Sequence, residues 1–166
     1  MRILITGNSG SGKSSFGKRL SLKLNIPLYG LDQIVWKSNW VKVSKEEKEK
    51  KIKEITSHKS WIIEGVSKQA MNKADTVVFL DLPKHKCISN IIKRFLKNGV
   101  GTRKELPSNC PDYIGVLKAI KIALIFNKVT RPWIMEESRA DNFIQVKNHE
   151  ELGGLLIYIS EMNCIQ

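Results

Sequence analysis

Residues 7–14 of this 166-residue chain read Gly7-Asn8-Ser9-Gly10-Ser11-Gly12-Lys13-Ser14, a full match to G-x-x-x-x-G-K-[ST]. The run before it, Arg2–Thr6 (RILIT), is short, apolar and β-branched, and reads as a buried strand. The segment after it, Ser15–Leu24, places Phe16, Leu20 and Leu24 at a spacing of four and reads as a helix. A glycine- and serine-rich turn between a strand and a helix allows few folds. Its glycines let backbone N–H groups turn inward, and the helix start adds unpaired donors and the positive end of the dipole. Such a turn cradles phosphate. Gly7, Asn8, Ser9, Gly10, Ser11, Gly12, Lys13, Ser14 and Ser15 are therefore the expected phosphate contacts. Lys13 is expected to reach the β- and γ-phosphates of a nucleotide such as ATP, and the Ser14 hydroxyl to ligate Mg²⁺.

The rest of the chain alternates strand and helix. Pro27–Gly30, Trp61–Glu64, Thr76–Leu82 and Phe143–Val146 read as further strands. Helices are expected from Ser44 to about His58, over Lys84–Lys97, over Tyr113–Val129 and over Asn148–Met162. Ser44 with Glu47, and Asn148 with Glu151, have the spacing of capping boxes. Tyr113–Val129 is apolar almost all round, which suits burial, with a partner surface as the other reading. This order predicts an α/β fold, a parallel sheet of about five strands with helices on both faces. Residues 1–166 are expected to form one domain. The polar stretch 98–112, with two glycines and two prolines, is expected to be a short lid.

Composition narrows the partners. The chain carries 28 Lys+Arg against 16 Asp+Glu, a net charge of +12. Residues 1–81 hold 15 basic against 8 acidic residues, and residues 82–139 hold 12 against 4; residues 140–166 reverse the sign with 1 against 4. The positive charge thus lies in the half with the glycine loop and the half with the expected lid, as suits two phosphate-bearing ligands. No helix-turn-helix, zinc-finger or RNP pattern supports nucleic acid. A nucleic-acid-associated ATPase or regulator is therefore the second reading. Cys87, Cys110 and Cys164 are too scattered for a disulfide framework or zinc site, and His58, His85 and His149 lack metal spacing. No apolar run approaches the roughly 18 residues of a membrane span, and Met1-Arg2 with three apolar residues does not read as a signal peptide. A cytoplasmic location is the expectation, and the oligomeric state stays open.

Candidate site residues follow from position. Glu64 ends a strand and precedes Gly65, where an acid meets ligands at the carboxyl edge of a parallel sheet. It can help hold Mg²⁺; Asp81, at the end of TVVFLDL, is the alternative acid or a structural anion. Asp32 lies nineteen residues after Lys13 and can accept the proton of an attacking hydroxyl or orient it, or can cap a helix. Trp36 and Trp40 can stack on a base or cover a sugar, or can be core. Arg94, Arg103 and Arg131 are the arginines best placed to clamp phosphates.

These segments together resemble the adenylate-kinase-like group of small nucleotide kinases. The resemblance implies a P-loop fold, ATP and Mg²⁺ as ligands, and substrate binding by Glu64, Gly65 and Lys68. In that group an aspartate-glycine pair stands where Glu64-Gly65 stands, and an arginine where Lys68 stands. Arg94, eleven residues after Pro83, matches a nucleotide-touching arginine at the lid hinge. Leu31-Asp32-Gln33-Ile34-Val35-Trp36 with Trp40, and also Gly101-Thr102-Arg103 and Arg131-Pro132, are similar to the bacterial DNA topology modulation proteins. The expected function is phosphoryl transfer from Mg-ATP to a nucleotide, nucleoside or other small acceptor. Lysine at 68 loses the paired donors of arginine.

Overall fold

The computed structural model describes residues 1–98, 109–137 and 142–164. In chain order the elements are β1 (Arg2–Gly7), α1 (Lys13–Leu24), β2 (Leu28–Gly30), α2 (Leu31–Val35), β3 (Trp36–Lys37), β4 (Val41–Lys42), α3 (Lys45–Thr56), β5 (Trp61–Glu64), α4 (Lys68–Met71), β6 (Thr76–Leu80), α5 (Lys84–Asn98), α6 (Asp112–Glu137), β7 (Phe143–Val146) and α7 (Glu151–Cys164). Five strands form one parallel sheet in the order β2-β5-β1-β6-β7, and β3 pairs antiparallel with β4 in a separate small hairpin.

β1 is central, and Ile3, Leu4 and Ile5 are fully buried because both sheet faces are covered. The period of two splits them. Ile3 and Ile5 pack with Phe16 and Leu20 of α1 and Leu155 and Ile159 of α7 on one face. Leu4 packs on the other face with Leu31, Ile52, Met71 and, from α6, Phe126 and Ile134. A third cluster joins Ile91 of α5 to Val116, Ala119 and Ala123 of α6. The chain leaves β1 for β2 on one side of it, and β6 lies on the other. The carboxyl end of β1 is therefore a switch point, where open parallel sheets bind ligands.

The helix ends show their causes. Ser44 accepts from the Glu47 N–H at 3.1 Å. The Glu47 carboxylate takes Lys37 Nζ at 2.9 Å, so only half of the expected capping box forms. The second box is reciprocal: Glu151 N–H reaches Asn148 Oδ1 at 3.0 Å, and Asn148 Nδ2 reaches Glu151 Oε1 at 2.7 Å. α6 passes through Pro132 to Glu137, eight residues beyond its expected end, because Ile134 is buried in the core. That burial outweighs the hydrogen bond a proline removes. α6 is not buried all round either: Leu117 is 70% and Val129 62% exposed.

Candidate functional site

The loop from Gly7 to Gly12 sits at the carboxyl end of β1. Gly7, Gly10 and Gly12 have φ of 145°, 79° and 95°, in the left-handed region open to glycine. At Gly10 the need is also steric, since a Cβ would run into the Cys87 carbonyl of α5. Asn8 is 1% exposed and ties the loop to α6 through Nδ2 to the Ala123 carbonyl at 3.2 Å. Asn90 of α5 holds it from another side, Nδ2 to the Gly10 carbonyl at 3.0 Å. Gly12 caps α1 in the left-handed conformation with no side-chain hydrogen bond, so the first-turn N–H groups face the loop without a competing cap.

Lys13 folds back and donates from Nζ to the Asn8 carbonyl at 2.6 Å. Burial lowers its pKa; the charges of Glu64 and Asp32 oppose that, and Arg94 adds to it. These four charged groups therefore share one field. The Ser14 hydroxyl donates to Glu64 Oε1 at 2.8 Å. The acid at the end of β5 thus stands directly beside the loop serine. The pair offers hard oxygen donors, and among the described residues no cluster of three or more acids, histidines or cysteines could hold a metal. Two protein oxygens beside a phosphate loop fit Mg²⁺, which keeps its waters and takes few protein ligands.

Asp81 has the opposite surroundings. Arg131 Nη2 donates to its Oδ2 at 2.8 Å and Nε to its Oδ1 at 3.0 Å, while Gln145 Nε2 adds a bond at 2.6 Å. Hydrogen bonding to this carboxylate raises the pKa of Arg131. Asp81 is engaged by these two side chains, and neither it nor Arg131 lines the cavity described next. Lys68 is likewise engaged elsewhere, in an ion pair with Glu137. Arg131, expected to clamp phosphates, and Lys68, expected to bind substrate, are held in these pairings here, and neither lines the cavity. Gly65 lies behind the site: its φ of 135° and the Leu31 side chain 2.7 Å from where its Cβ would be make it a packing glycine. Arg103 and most of the expected lid at 98–112 lie outside the described residues.

A cavity of about 850 Å³ opens over the loop. Ser9, Gly10, Gly12, Lys13, Ser14 and Ser15 form its floor, with Glu64 and Arg94 beside them. Asp32, Trp36 and Trp40, singled out in the sequence, also line it. Lys118 and Lys121 of α6, Arg19, Asn90 and His149 also line it and were missed. His149 had a readable signal, since it follows a strand at the carboxyl edge of the sheet; its Cε1 stands 3.2 Å from where a Gly12 Cβ would be. Lys118 had none. Its neighbours Trp36 and Trp40 are about 80 residues away in the chain.

The sheet order and the loop define a P-loop kinase-like fold. No family model and no curated protein matches the chain. Among solved structures it is similar to deoxyadenosine kinase from M. mycoides with the products dCMP and a flexible dCDP bound, at 15% identity over 100% of each chain and a TM-score of 0.58. It is similar to shikimate kinase from Acinetobacter baumannii in complex with shikimate, at 17% identity over 96% of this chain and 90% of that one, with a TM-score of 0.56. An uncharacterized protein from Eubacterium ventriosum is similar at 17% identity over 99% and 98%, with a TM-score of 0.55. These likenesses establish the fold. None of them places the chain in the topology modulation group that its tryptophan segment resembles. No helix among the described residues is long and apolar enough to cross a membrane.

Proposed function

We propose that this protein is a small-molecule kinase that moves the γ-phosphoryl group of Mg-ATP to a hydroxyl of a small acceptor of nucleotide or nucleoside type. The observation that carries the reading is the contact of Ser14 Oγ with Glu64 Oε1, 2.8 Å apart, in a cavity that Lys13 and Asp32 also line. The loop N–H groups and the α1 start hold the triphosphate. Lys13 moves from the Asn8 carbonyl to the β- and γ-phosphates. Ser14 and Glu64 are the residues that would hold Mg²⁺, which when bound neutralises charge developing on the phosphate oxygens. Asp32 accepts the proton of the acceptor hydroxyl as its oxygen bonds to the γ-phosphorus and the bond to the β,γ-bridging oxygen breaks. Arg94 adds a fixed guanidinium on the nucleotide side.

Labelled ATP with a broad acceptor panel tests this. Acceptor-dependent transfer by the wild type, lost in Lys13→Ala, is the expected result. Wild type and Lys13→Ala behaving alike across the panel would sink it.

A further inference from the structure

The tryptophan wall carries a lysine. Lys118 Nζ lies 4.2 Å from the ring centroid of Trp36 and 4.5 Å from that of Trp40. The two indoles meet edge to face, with centroids 5.3 Å apart, so one ammonium is shared by both. Tryptophan is the strongest aromatic partner for a cation within about 6 Å. Among the described residues no carboxylate pairs with Lys118, which is partly buried at the cavity wall. Ring faces hold the charge, and among the described residues no acid is bonded to it.

The fold spends conformational energy on this arrangement. Asn39 and Trp40 are consecutive non-glycine residues with φ of 60° and 56°. A bulky side chain in the left-handed region is a genuine outlier, and such residues persist where their surroundings over-determine them. Here the surroundings are the approach to α6: Trp40 Nε1 donates to the Pro111 carbonyl at 3.3 Å and its backbone N–H to Cys110 Sγ at 3.4 Å. Those residues lead directly into the helix that carries Lys118. The hairpin of β3 and β4 is thereby pinned to α6 with its ring against the ammonium. Asp32 lies in the first turn of α2 and Trp36 directly follows that helix, and both line the cavity. Asp32 and Lys118 therefore line one cavity with the phosphate loop.

We propose that Lys118, fixed between Trp36 and Trp40, is the receptor for an anionic group of the acceptor, so that the acceptor is a hydroxyl compound bearing a carboxylate or phosphate. This rests on the kinase reading above; it replaces a neutral nucleoside acceptor by an anionic one, and it changes what the tryptophans do. Their faces hold the lysine that reads the acceptor's charge, and are not a platform for a base. The anion on Lys118 and the hydroxyl at Asp32 then fix the acceptor at two points.

The test uses the full chain saturated with Mg·AMPPNP, so that the loop is filled and a second anion cannot bind there. Inorganic phosphate and acetate are titrated separately, read by calorimetry. The expected result is saturable binding of one or both, weakened about tenfold to a hundredfold in Lys118→Met. Lys118→Arg should restore most of it, and AMPPNP affinity should be the same in all three proteins. Phosphate alone binding assigns a phosphorylated acceptor, and acetate alone a carboxylate. No anion binding by the wild type, or equal binding by Lys118→Met, overturns the role of Lys118 and leaves the kinase reading standing. Failure of the wild type to bind AMPPNP overturns both. Thermal melts confirm that each variant is folded, and rescue by arginine separates a lost charge from lost packing.

Discussion

The two sides of the cavity are built in different ways. The phosphate side is one contiguous stretch, Gly7–Ser15, in which backbone groups do most of the binding and each residue's part follows from its place in the loop. The acceptor side is assembled from Asp32, the Trp36–Trp40 turn and Lys118, brought together by packing across about 80 residues. On our reading the first side binds what all nucleotides share. The second, on our reading, sets the acceptor. A local motif can supply the general chemistry, whereas discrimination needs groups that converge in space.

The largest expected effect tests the phosphate side. Lys13→Ala should lower transfer on the order of 10²–10³-fold, the cost of one preorganised charge in such a site, with the fold intact by circular dichroism. A loss under about threefold would show that the loop lysine does not touch the reacting phosphates.

Glu64 and Asp81 give a sharper contrast, since both are acids at the carboxyl ends of the strands flanking β1. Glu64→Gln should lower activity about 10–100-fold at low Mg²⁺ and recover part of it as Mg²⁺ is raised. Asp81→Asn should leave the Mg²⁺ dependence unchanged and act on stability. It removes the charge that Arg131 and Gln145 bind, in a pair that is 39% and 12% exposed. We expect a loss of about 1–2 kcal/mol, a fall in Tm of about 2–8 °C. If the two variants exchanged these phenotypes, the assignment of the acids would be reversed.

A smaller effect concerns protons. Burial holds the Lys13 pKa below its ordinary value in the free protein, and a bound triphosphate raises it. A group whose pKa rises on binding takes up a proton where it was partly neutral. Nucleotide affinity should therefore fall as pH rises through the lowered Lys13 pKa. Calorimetry at alkaline pH in buffers of different ionisation heat should show proton uptake in the wild type and none in Lys13→Ala.

Much of the scaffold was legible in one dimension. Trp61–Glu64 and Phe143–Val146 are strands with the bounds predicted for them; the first is an inner strand whose Trp61, Ile62 and Ile63 are fully buried. The hairpin of β3 and β4 was not legible. Strands of two residues have no period to read, and the left-handed φ at Asn39 and Trp40 follows no turn rule that would put tryptophan there. α6 outran its expected end at Pro132 because the burial of Ile134 is a tertiary term. The partners of Arg131 and Lys68 were hidden for the same reason, as each pairs with an acid more than forty residues away.

The amino-acid sequence alone determined the phosphate loop, the β1–α1 turn that presents it and the alternation that makes the sheet parallel, since these rest on glycine conformation, period and burial within short spans. Only the tertiary structure decided which acid faces Ser14, where the arginines are engaged and which cation stands against the two tryptophans. Those outcomes depend on distances between side chains remote in sequence, and charge acts through distance in space.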